Sequence, residues 1–224
     1  MSRHLLSFLL VLSTATSAIA APSIGSSQRF ARPPVAEHVD DRGVIDRATL
    51  RATLLEHRLA NLERFRAYAR RGVFPDNVYT PGSLNVWRDP NNHLCAAATL
   101  IDGSGGAALV EQVAQDTNFI RLADVTQGPL LDWILTSGLT QAELVAIQRP
   151  FMGVGRRERP DLQRPTLVVV DSRLRAAEDA RLVKLYRQVD RMIVRNQQQS
   201  LELAVDRLLA QPALAAKLLG NTDG

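Results

Sequence analysis

Cys95 is the only cysteine in this 224-residue chain and the one side chain whose type suits covalent chemistry. The apolar run that follows it predicts a helix, which places the thiol at a first turn. Unpaired amides and the helix dipole there stabilise a thiolate. Leu94 before it and Ala96, Ala97 and Ala98 after it are apolar and small, the setting of a buried, inert cysteine. A thiol nucleophile also needs a base and a group to orient that base. His4, His38, His57 and His93 all precede Cys95. His93 is two residues away and shares a side with Cys95 if the segment is extended. His57 reaches it only through tertiary packing. A thiol-dependent enzyme or redox protein using Cys95 with His93 or His57 is therefore one reading, and a core cysteine is the other.

Asp89, Asn91 and His93 alternate, with Asp102 and Ser104 a short way on. Oxygen ligands at alternate positions resemble a calcium loop, but the full pattern with its terminal glutamate is missing. Asp89-Pro90-Asn91-Asn92 is explained by a tight turn alone. One cysteine and scattered histidines give no zinc spacing. Asp102-Gly103-Ser104-Gly105-Gly106 precedes a helix pattern but lacks the phosphate-loop lysine and the dinucleotide fingerprint. No cofactor and no metal ligand set is expected from these motifs, and a calcium module remains the weakest alternative.

The elements that position these residues are mostly helical. Asp46 caps a helix pattern over 47–71, where Leu55, Leu59, Leu62, Phe65 and Ala69 recur at three- and four-residue steps. Arg51, Arg58 and Arg66 lie off that stripe, and Gly72 ends the helix. Pro75, Pro81 and Pro90 break the next segment. Leu84 to Arg88 reads as a short strand, paired across the Asp89–Asn92 turn with His93 to Cys95. Helices follow from 96, from 107 with Leu109, Val110 and Val113 inward, and from Pro129 to Thr136. Thr140 and Glu143 make a capping box for another, ending before Pro150. Thr166 to Val170 is short and β-branched. From Asp171 a helix pattern runs to about 210, with stripes Leu182, Tyr186, Val189, Ile193 and Leu201, Val205, Leu208. The polar stretch 196–200 either continues that helix or breaks it at Ser200. Pro212 opens a last short helix.

The first twenty-one residues read as a cleaved export signal: Arg3 and His4, an apolar run from Leu5 to Leu12, then small residues to Ala21. Residues 22–45 read as a flexible tether. The formal net charge is +4. Residues 41–74 carry eight arginines against four acids, whereas residues 75–148 carry two against eight. Lys184 and Lys217 are the only lysines. Basic residues interleave with acids and there is no aromatic stacking platform, which argues against a nucleic-acid partner. A single cysteine excludes an internal disulfide.

The block 72–151 resembles part of an uncharacterised group of exported bacterial proteins. The likeness is carried by Gly72-Val73-Phe74-Pro75-Asp76-Asn77, Trp87-Arg88-Asp89, Leu94-Cys95-Ala96, Ser137-Gly138-Leu139-Thr140 and Ile147-Gln148-Arg149-Pro150. Relatives often have glycine in the turn and after the Cys-Ala pair, where Asn92 and Ala98 or its neighbours stand here. The resemblance implies an exported helical module and assigns no catalytic residue.

The sequence thus predicts a mainly α chain, α+β at most, with one short β-hairpin. A compact domain over 46–152, a basic linker over 153–165 and a helical C-terminal arm over 166–220 are expected. The arm's apolar stripe either folds back or engages a protein partner or a second copy. The function expected first is an interaction or structural protein of the cell envelope or exterior, without catalysis and without a membrane span in the mature chain.

Overall fold

In the computed structural model, residues 45–79, 84–148 and 171–220 are described. The signal, most of the tether, the basic linker and the β-branched segment 166–170 lie outside them. The described residues form one compact unit.

The organising element is α1 (Arg47–Arg71). The Asp46 carboxylate accepts the amides of Ala48 and Thr49 at 3.2 and 2.8 Å, satisfying two orphan donors of the first turn. Gly72 ends the helix in left-handed geometry, φ 66°. The buried face overlaps the expected stripe but is shifted from it: Leu62 and Phe65 are buried, and Leu55 and Ala69 are partly buried against the cores. Leu50, Leu54, Leu62, Phe65 and Tyr68 point inward, while Leu59 is 53% exposed. Arg58 and Asn61 belong to the inward face and are buried. Two polar residues within the core face turn the apparent apolar stripe away from the true one.

α2 (Ala96–Gly103) is short and buries Ala96, Ala97, Ala98, Leu100 and Ile101, and its run of alanines lets it pass close to α1. Gly105 and Gly106 turn the chain into α3 (Ala107–Thr117), which buries Val110 and Val113. A 3-10 turn (Leu122–Asp124), α4 (Pro129–Thr136) and α5 (Gln141–Gln148) follow. The capping box forms as expected: Glu143 accepts the Thr140 amide at 2.8 Å, and Thr140 Oγ1 accepts the Glu143 amide at 3.2 Å.

The hairpin is reduced to one antiparallel bridge between Arg88 and Leu94, and there are no strands among the described residues. The turn itself closes, with the Asp89 amide donating to His93 O at 3.1 Å and Cys95 to Trp87 O at 2.9 Å. Asn118 at the end of α3 competes for the outgoing segment. Its carbonyl accepts from Trp87 N, and its side chain pairs with both backbone groups of Arg88. α2 starts directly after Cys95, so the return segment is too short to pair further.

The C-terminal segment is not a free arm. α6 (Ser172–Arg195), α7 (Gln197–Leu209) and α8 (Pro212–Leu218) fold back, α6 and α7 packing on α1. Leu182, Tyr186 and Ile193 join the main core with Phe65, Tyr68 and Phe74; the Phe65 and Tyr186 rings meet edge-on at 5.4 Å. Leu201, Val205 and Leu208 form a second core with Leu50 and Leu54. The break between α6 and α7 falls at Asn196. Ser200 is a buried residue within α7 that hydrogen-bonds Glu143, not a cap. Among the described residues no single helix is long and apolar enough to cross a membrane.

Candidate functional site

Cys95 occupies the N-cap of α2, and its Sγ accepts the Ala98 amide at 3.5 Å. The side chain is 1% exposed and shares the apolar core with Tyr68, Phe74 and Tyr186. Burial pushes the thiol from its ordinary 9.0 up to about 12, and the helix amides only partly offset that. The cap stabilises a thiolate too little to overcome a dry surrounding.

His93 is engaged with a different partner. Its Nδ1 donates to Asp89 Oδ2 at 3.0 Å. The other acceptor sites of Asp89 are also filled: Oδ2 takes the Asp76 amide at 2.9 Å, and Oδ1 takes those of Asn91 and His93 at 2.8 Å each. Asp76 in turn pairs with Arg175 of α6, which also bonds Phe74 O. Asp76, Asp89 and His93 bring ligand-type atoms within 4.8 Å of one another. The hydrogen-bond pattern is nevertheless that of a latch closing the 74–95 segment on α6. A cation there would have to displace both the His93 proton and the Arg175 guanidinium. Of the residues of the weakest alternative, a calcium loop at Asp89, Asn91 and Asp102, Asn91 offers Asp89 its amide, and Asp102 is exposed at the end of α2.

His57 is also occupied structurally. Its Nδ1 donates to Thr136 O at 2.8 Å. Arg58 donates to Gly138 O at 3.0 Å and Asn61 to Ser137 O at 2.8 Å. Three polar side chains of α1 thus take up carbonyls left open where α4 ends.

At neutral pH a rise from 9.0 to about 12 cuts the Cys95 thiolate fraction about a thousandfold. Iodoacetamide is therefore expected to modify the folded protein at least that much more slowly than the urea-unfolded chain. Equal rates would place Cys95 at the surface.

The charged feature that the sequence reading passed over is the outer face of α6. Its acids are all engaged: Glu178 with Arg181, Asp179 with Arg175 and Asp190 with Arg66. Arg173, Lys184, Arg187, Arg191 and Arg195 are exposed and form no ion pair among the described residues. At about 100° per residue these five cations fall within a sector of roughly 80°. The signal was legible as a helical angle, but the even mixture of acids and bases in 171–195 concealed it. Arg66, Asp190, Arg191, Val194 and Arg195 line a shallow cleft where this face meets α1.

No known family, curated protein or solved structure matches this chain.

Proposed function

We propose that the protein is an interaction module of the cell envelope, acting by contact through the outer face of α6 and not by turnover at Cys95. The observation that carries this reading is the row of five exposed cations, without an ion pair among the described residues, on a helix anchored to the core by Leu182, Tyr186 and Ile193. Exposed like charges on one rigid face repel one another, and a polyanionic partner relieves that repulsion. The signal-like first twenty-one residues and the resemblance of block 72–151 to exported proteins support the envelope address. The apolar stripe of the C-terminal helices is consumed inside the fold, so Leu182 and Val189 are poor choices for a partner surface.

A fluorescent polyphosphate chain titrated with the protein tests the reading by anisotropy. Glutamine at Lys184, Arg187, Arg191 and Arg195 is expected to weaken binding more than tenfold, since each cation contributes on the order of 1 kcal/mol. A control with glutamine at Arg70, Arg121, Arg207 and Lys217, exposed elsewhere, loses the same charge and is expected to change binding by only a few-fold. Equal losses in the two variants would refute the assignment.

A further inference from the structure

We infer that the polyanion recognised by α6 is the phosphate-bearing surface of an anionic lipid bilayer, an inference that rests on the α6 reading above. The first argument is shape. From Arg173 to Arg195 the cations run along one side of a continuous helix for about 33 Å at 1.5 Å per residue. A straight row of this kind meets a plane along its whole length.

The second argument is chemical. Four of the five cations are arginines, whose planar guanidinium forks hold phosphate oxygens in pairs. Arg191 and Arg195 stand one turn apart over the cleft they share with Arg66, Asp190 and Val194; the Asp190 carboxylate is paired with Arg66, and the two α6 guanidiniums give one headgroup phosphate several donors at once.

The third argument is the apolar margin. Leu174 is 71% exposed and Val194 45% exposed. By helical angle they flank the cationic row on opposite edges, one near each end. Apolar side chains beside a basic row suit the boundary between headgroups and acyl chains. A nucleic-acid backbone gives them nothing, and the only aromatic of α6, Tyr186, is buried, so no base has a ring to stack on. The binding is peripheral and electrostatic, and weakens with salt.

Co-sedimentation of the full chain with phosphatidylglycerol-containing vesicles tests the inference, with pure phosphatidylcholine vesicles and a DNA duplex as comparisons. The wild type is expected to bind the anionic vesicles and to leave the neutral ones in solution. The variant K184Q/R187Q/R191Q/R195Q is expected to lose on the order of 1,000-fold in affinity, four cations at about 1 kcal/mol each. It should keep the wild-type circular dichroism and unfolding midpoint, because none of the four side chains supports the fold. The control at Arg70, Arg121, Arg207 and Lys217 should lose only a few-fold. Equal binding to neutral vesicles, equal losses in the two variants, or tighter binding to DNA than to anionic vesicles would overturn the lipid inference. Intact α6-dependent polyphosphate binding without vesicle binding would overturn it alone. Loss of both would overturn the α6 reading as well.

Discussion

Replacing Arg58 by alanine is expected to destabilise the folded chain by about 3–5 kcal/mol, because it strands a buried carboxylate. Arg58 is fully buried and grips Glu143 with two nitrogens, at 2.9 and 2.6 Å. The same guanidinium donates to Gly138 O at 3.0 Å and to Ile193 O at 2.9 Å. One side chain therefore joins α1, α5, the α4–α5 turn and α6. Burial pushes the Glu143 carboxyl up, but hydrogen bonds from Arg58 and from the Thr140 amide outweigh it and hold it below its ordinary 4.5. The sign follows from that depression. The stabilisation is fully present above pH 4.5 and is lost as pH falls through the lower folded value. Urea unfolding of the wild type should show this loss, whereas the double variant R58M/E143Q should not. The double variant should also be more stable near neutrality than R58M alone, since it leaves no lone charge in the core. A single variant R58A within 1 kcal/mol of wild type would mean that the guanidinium reaches water.

Gly138→Ala is expected to cost still more, above about 4 kcal/mol, and to leave little folded protein. Gly138 has φ 74°, a left-handed conformation costly for alanine. An added Cβ would stand 2.1 Å from Leu54 O and 2.6 Å from Arg58 N. Both are backbone atoms of α1, so no flexible side chain can move aside. The glycine lets the α4–α5 turn rest directly on α1, where His57, Arg58 and Asn61 take up its carbonyls. Gly72→Ala makes a useful contrast, because φ is 66° there but nothing lies within 4 Å of an added Cβ. It should cost only the conformational penalty of about 1–2 kcal/mol. Equal losses at the two positions would show that packing at Gly138 is looser than the distances state.

These two positions also show what the sequence conveyed and what it did not. Helix ends were legible because local chemistry sets them. Asp46, the Thr140–Glu143 box, Pro129, Pro212 and Gly72 each act on the nearest turn. The core face of α1 was legible at Leu62 and Phe65 but incomplete, because Arg58 and Asn61 sit in it and their partners lie far away in the chain. The hairpin was overstated because Asn118, about thirty residues on, pairs with the outgoing segment. The C-terminal stripe was legible as apolar, but an apolar stripe does not name what covers it; here α1 does.

The candidate chemistry followed the same rule. Cys95 was correctly placed at a helix start, yet its depth in the core decides its reactivity, and depth is a tertiary property. Asp89 and His93 were read as alternating positions around a turn. Their link through Asp76 to Arg175 could not be read, because it joins residues about a hundred positions apart. The segments around Asp76, Trp87–Asp89, Cys95 and Gly138 form the Asp89 latch and the seat of the α4–α5 turn. Their spacing is accounted for by folding. The cationic row of α6 serves no such internal purpose.

The most direct measurement of the central claim is therefore the polyphosphate titration of the wild type against K184Q/R187Q/R191Q/R195Q, with the charge-matched control alongside. The account predicts that affinity collapses only when the α6 cations are removed. Affinity that falls with net charge wherever the charge is taken away would contradict it.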